Sequence, residues 1–91
     1  MAFSYSDKNF TVIGNLCFVH IDIDNKTLFD IPPAICDRML INNIFYPYLS
    51  HDGNPDKSDI GLAIISNNKI SLYSVHNKGY LICLFPIDSN K

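Results

Sequence analysis

The segment CFVHIDIDN, residues 17–25, places one imidazole and two carboxylates at alternate positions. His20, Asp22 and Asp24 are separated by single isoleucines, and side chains two apart on a β-strand lie on one face, about 6.6–6.8 Å apart. Such a row could hold a divalent metal ion. Alternation alone, however, predicts a strand whose polar side faces water. The second interpretation is favoured, so no metal and no other cofactor is predicted.

Nucleophilic catalysis is the second chemistry to consider. The chain has three cysteines, Cys17, Cys36 and Cys83, without CxxC spacing. Each lies among apolar neighbours, where a free cysteine behaves as a small buried hydrophobic residue. The sequence has no glycine-rich phosphate loop and no GxSxG or HExxH motif. We therefore predict that the protein has no catalytic residues and is not an enzyme. An odd number of unpaired cysteines also predicts a reducing, cytoplasmic location.

The charge distribution limits the choice of partners. The formal net charge is −2, and the few basic residues are scattered. Nucleic-acid binding needs clustered Lys and Arg, so no nucleic-acid partner is expected. No apolar run approaches the ~20 residues that span a bilayer, so no membrane partner is expected either.

The elements that would position these residues are mainly strands. Glu, Gln and Trp are absent, and the chain has only three Ala but thirteen Ile and ten Asn, a bias towards strands and turns. Gly14-Asn15 predicts a two-residue type II′ hairpin turn, and Asn67-Asn68 a type I′ turn. Five strands are predicted, near residues 10–13, 16–24, 60–66, 69–75 and 79–86.

One helix is predicted between these groups of strands. Asp30 is the expected N-cap, and Pro32 and Pro33 fit a first helical turn. An apolar stripe continues the helix until Pro47 ends it near residue 45; its members are Ile35, Cys36, Met39, Leu40 and Ile44.

The whole chain, residues 1–91, is expected to form a single α+β domain with a mobile N-terminal segment at residues 1–9. The predicted order is ββαβββ, an antiparallel sheet of about five strands with one helix packed on one face. A small curled β-barrel with one helix is the alternative.

Two surfaces are predicted to bind partners. The last strand is apolar on both faces, and one helix covers only one of them. The uncovered face is expected to carry Tyr73, Leu81, Cys83 and Phe85 and to be buried in a homodimer, with Tyr73, Leu81 and Phe85 at the interface. The segment after the helix offers Tyr46, Tyr48 and His51 for contact with another protein.

The function predicted from these features is non-catalytic binding of another macromolecule, as an inhibitor, an immunity-type protein or an adaptor. A small-ligand or nucleotide-binding module is the alternative. A metal-dependent enzyme using His20, Asp22 and Asp24 is the third possibility. The heavy use of Ile and Asn is typical of an AT-rich microbial or phage genome.

Overall fold

Short alternating segments rich in β-branched residues form one antiparallel sheet of seven strands in the computed structural model, which describes residues 3–66 and 68–91. The strands in chain order are β1 Phe10–Ile13, β2 Leu16–Asp24, β3 Leu28–Asp30, β4 Ile44–His51, β5 Asp59–Ile65, β6 Lys69–Tyr73 and β7 Lys78–Pro86. A short helix, α1, spans Pro33–Cys36, and a single 3₁₀ turn spans Pro55–Lys57.

The sheet curls into a half-barrel with the strand order β1-β2-β7-β4-β5-β6-β3. This architecture fits the curled-barrel alternative better than the predicted sheet of about five strands with one helix packed on one face. Its two halves meet where β4 pairs with β7, and that ladder contains only the pairs Ser50–Gly79 and His51–Lys78. The remainder of β4 is paired with β5 alone.

The first hairpin confirms the turn chemistry of Gly14-Asn15. Strands β1 and β2 pair from Ile13 opposite Leu16 to Phe10 opposite Val19. Gly14 has φ of 61° and Asn15 is not among the positive-φ residues, which is the pattern of a type II′ turn. The last three predicted strands are also present within two residues of their expected bounds. The Asn67-Asn68 turn includes Asn67, which lies outside the described residues.

The predicted long helix is wrong. Helix α1 ends after one turn at Cys36, its N-cap is Pro32 instead of Asp30, and Pro32 provides no side-chain cap. Met39 then forms an isolated β-bridge with Ile87, and Asn43 adopts φ of 61° before β4 begins. Pro47 lies within β4, at a point where the strand has no ladder to β7. A proline without a backbone N–H is tolerated on such an unpaired side.

The core fills the concave face of the half-barrel. Alternate residues of β2 and β7 point into it, and Ile35 of α1 packs among them. Phe3 and Tyr5 also pack against this core, and the Phe3 N–H donates to the Ser89 carbonyl over 2.9 Å. The segment expected to be mobile therefore makes defined contacts from residue 3 onward; residues 1 and 2 lie outside the described part. Among the described residues, no helix is long and apolar enough to cross a membrane.

Candidate functional site

The convex side of the sheet exposes apolar side chains on both halves of the sheet. We call it the open face and define it by eight exposed side chains: Phe45, Leu49, Ile60, Leu62, Tyr73, Tyr80, Ile82 and Leu84. Cross-strand pairing joins the members on β4, β5 and β6, because Leu49 lies opposite Ile60 and Leu62 lies opposite Tyr73. The members on β7 meet them at Tyr80, which lines a shared pocket with Leu49. Exposed Pro47, paired with Leu62, lies between them. Within residues 45–49, 60–64 and 80–84, none of the side chains that point outward is charged.

Polar and titratable residues border the open face along β2 and at one end of the sheet. His20 lies opposite Ile82, and Asp22 lies opposite Tyr80. Beyond Tyr80 and Leu49 the strands continue to Lys78 and His51, which pair with each other. An apolar centre with a polar border is the usual anatomy of a protein interface.

The row His20, Asp22 and Asp24 lies on the convex side, as the alternation predicted. His20 Nε2 is 3.3 Å from Thr11 Oγ1. At the other end of the row, Asp24 Oδ1 accepts a hydrogen bond from Asn25 Nδ2 over 2.8 Å and lies 4.0 Å from Lys78 Nζ. Within residues 3–66 and 68–91, no three His, Cys, Asp or Glu side chains are grouped closely enough to hold a metal ion.

The three residues proposed for partner contact do not share a surface. Strand β4 turns Tyr46 and Tyr48 towards the concave face and His51 towards the open face, because successive strand residues point to opposite sides. Tyr46 is half-buried, and its hydroxyl donates to the Leu84 carbonyl. His51 Nδ1 accepts from the Gly53 N–H over 3.1 Å. The segment expected to follow a helix is strand β4, and its strand conformation separates the three side chains.

Tyr48 is a buried core residue whose ring depends on Gly61. An added Cβ at Gly61 would lie 2.6 Å from Tyr48 Cζ. Gly79, on the other side of β4, instead leaves room for the Leu49 carbonyl oxygen, which an added Cβ would approach to 2.6 Å.

The predicted parity of the last strand is reversed. Leu81, Cys83 and Phe85 point into the core, where Leu81 has no exposed surface. Their neighbours Tyr80, Ile82 and Leu84 face outward, and Ile82 is 68% exposed. Tyr73, also assigned to the dimer interface, does lie on the open face. The sequence could not decide the parity because every position from 80 to 85 is apolar.

A cavity of about 410 Å³ lies at one end of the concave face and was not predicted from the sequence. Core residues Ile23, Tyr48 and Leu72 line it together with polar residues, among them Lys26, Asp52 and His76. Its volume is within the range of about 300–1,000 Å³ that is typical of small-ligand sites.

A serine, a histidine and an aspartate meet beside this cavity. His76 Nε2 lies 2.7 Å from Asp59 Oδ2. The hydroxyl of Ser74 instead accepts a hydrogen bond from the main-chain N–H of His76 over 2.9 Å and donates to its carbonyl. A serine nucleophile needs a base in contact with its hydroxyl. Here the main chain holds the hydroxyl, and the hydrogen bond of the imidazole goes to the carboxylate.

The thiols occupy environments that disfavour the thiolate. All three cysteines are free. Burial raises the pKa of Cys17 to about 12, and the pKa of Cys83 to the same value. Burial also raises the pKa of Cys36. A nucleophilic cysteine requires a lowered pKa, so these positions have the character of core residues.

No protein-family model, curated protein or solved structure matches the chain.

Proposed function

We propose that the protein acts by binding another protein, without catalysis, through the open face. The observation that carries the proposal is the size and uniformity of this surface. Monomers rarely expose contiguous apolar patches larger than a few hundred Å², whereas eight large apolar side chains are exposed here on one side of one sheet. Inhibitors, immunity-type proteins and adaptors all act in this way.

The charges at the border favour a protein partner over nucleic acid. Asp22, Asp24 and Lys78 give the border both signs, and a phosphate backbone would be repelled by the two carboxylates. The cytoplasmic location predicted from the sequence stays a proposal, supported by the three free cysteines.

Capture from a host-cell lysate tests the proposal. Three immobilised baits are compared by quantitative mass spectrometry: the wild-type protein, Ile82→Asp and Val75→Asp. Val75 is exposed like Ile82 but lines the cavity on the concave side, so it controls for the added charge. We expect a protein that wild type and Val75→Asp retain and Ile82→Asp loses. Identical captured sets for all three baits would contradict binding through the open face.

A small-ligand module is the second candidate, and it rests on the cavity at the concave face. Apolar Ile23 and Leu72, with Lys26 and Asp52 nearby, could bind a small molecule that carries both apolar and polar groups. Under this alternative, a ligand would raise the melting temperature of wild type and Ile82→Asp equally. Substitution of Lys26 or Asp52 would remove that rise.

A further inference from the structure

We infer that the open face is covered by a second copy of this chain, in a two-fold dimer that packs the two convex sides together. The inference rests on the proposed function, because it names the protein that occupies the same surface: that protein is a second copy of the chain, which the wild-type bait would retain and Ile82→Asp would lose. It also keeps the homodimer expected from the sequence while moving its interface to the opposite face of β7.

The exposed area of the open face, all of which a partner would have to cover, is close to one partner's share of a standard interface. The exposed fractions of its eight side chains run from 38% to 71%. For side chains of about 150–200 Å² each, these fractions give roughly 800 Å² per copy, which is the contribution of each partner to a standard protein interface. A crystal-type or weak encounter surface would be smaller.

The composition of the open face also favours a copy of itself. Interfaces between identical chains are more apolar than those of transient complexes, and the centre of this one has no charged residue. The border carries carboxylates at Asp22 and Asp24 and an ammonium group at Lys78. A two-fold axis brings the same patch against itself, and a patch with both signs at its border can match its own copy.

The convex side is accessible to a second copy. The molecule is elongated, with extents of 45 × 21 × 16 Å. Helix α1 does not obstruct the convex side, because Ile35 packs into the core of the concave side.

Sedimentation velocity across micromolar concentrations tests the occupant. We expect wild type and Val75→Asp to sediment as dimers and Ile82→Asp and Ile60→Asp to sediment as folded monomers. Ile60 is 71% exposed and Ile82 is 68% exposed, so an aspartate at either site is in water when the chain is monomeric. Far-ultraviolet circular dichroism and a cooperative thermal transition establish that both variants are folded.

Two results would overturn the inference. A wild-type monomer at all concentrations would show that a second copy does not cover the open face. In that case the lysate experiment still decides whether another protein does, so the two proposals fail separately. A wild-type dimer that persists in both Ile82→Asp and Ile60→Asp would show that the dimer uses another surface.

Discussion

Two adjacent residues of β7 allow a stringent test of which face is the core. Leu81 has no exposed surface, whereas Ile82 is 68% exposed. The two side chains contain the same number of carbon atoms, so truncating each to alanine removes equal volumes. Any difference in the cost therefore reports the surroundings of the side chain.

We expect Leu81→Ala to lower the free energy of unfolding by about 2–5 kcal/mol, the usual cost of a leucine cavity in a packed core. That is a large part of the roughly 5–15 kcal/mol available to a small domain. We expect Ile82→Ala to cost about 1 kcal/mol or less in the monomer, since only strand propensity and partial burial are lost.

Urea unfolding measured at several protein concentrations provides the assay. If the open face is covered in a dimer, the cost of Ile82→Ala grows as the concentration rises, because association stabilises only the folded chain. The cost of Leu81→Ala stays constant across the series. Equal costs for the two variants at the lowest concentration would refute the assignment of faces, and with it the interface proposed on the open face.

Three further predictions concern the core, the thiols and the polar row. Gly61→Ala should cost about 1–3 kcal/mol by overpacking against the Tyr48 ring, and less in a Tyr48→Leu background; equal costs in a double-mutant cycle would contradict the ring contact. Burial raises the pKa of the Cys17 thiol from 9.0 to about 12 and so keeps it protonated in the native state. The stability that this thiol contributes should therefore be full below pH 9 and be lost as the pH rises towards 12. In chemical denaturation, Cys17→Ala should flatten this fall in stability. Zinc, manganese or magnesium should leave the melting temperature unchanged, and a rise of several degrees that Asp22→Asn abolishes would establish a metal site at His20, Asp22 and Asp24.

Local turn chemistry made part of this fold predictable. Gly14 can adopt positive φ without steric cost, so the first hairpin and its register followed from the sequence. The strands on either side of Asn67-Asn68 were recognisable by their apolar runs. The polar side of β2 was predictable for the same reason, because His20, Asp22 and Asp24 alternate with isoleucines.

Tertiary pairing decided the elements that the sequence did not reveal. The stripe from Ile35 to Ile44 has helical spacing, yet Met39 bridges Ile87 and the Leu40 N–H donates to the Pro86 carbonyl. Pairing along the end of β7 thus replaces helical hydrogen bonds in this segment. Strand β3 is three residues long and is positioned by β6, with Asp30 Oδ1 2.6 Å from Lys69 Nζ. The pairing of residues 39–40 with the end of β7 and the pairing of β3 with β6 both join residues far apart in the sequence, so no local sequence pattern predicts them.

The open face itself could be expected only in outline. Because β7 is apolar on both faces and only one helix was predicted, an uncovered apolar surface was expected. That surface exists, on the side of β7 opposite to the one expected. The choice between the two sides of β7 depends on β2, where Cys17, Val19 and Ile21 pair with Phe85, Cys83 and Leu81. The polar side of β2 faces outward. Because Tyr80, Ile82 and Leu84 pair with outward-facing residues of β2, they face outward as well. The parity of the ambiguous strand is thus determined by the unambiguous strand beside it.

Strand stability alone does not account for the residues on the open face. Threonine and tyrosine favour strands as well as isoleucine does, and β2 shows that this chain places His20 and Asp22 at outward positions where the sheet faces water. On β4, β5 and β7 the outward positions are instead Leu49, Ile60 and Ile82, among the most exposed apolar side chains of the described residues. Each exposed isoleucine or leucine raises the tendency to aggregate without adding to the core. Such a concentration on one side of one sheet is accounted for when that side is buried in the working state of the protein, and a second copy offers the area and the border charges to bury it.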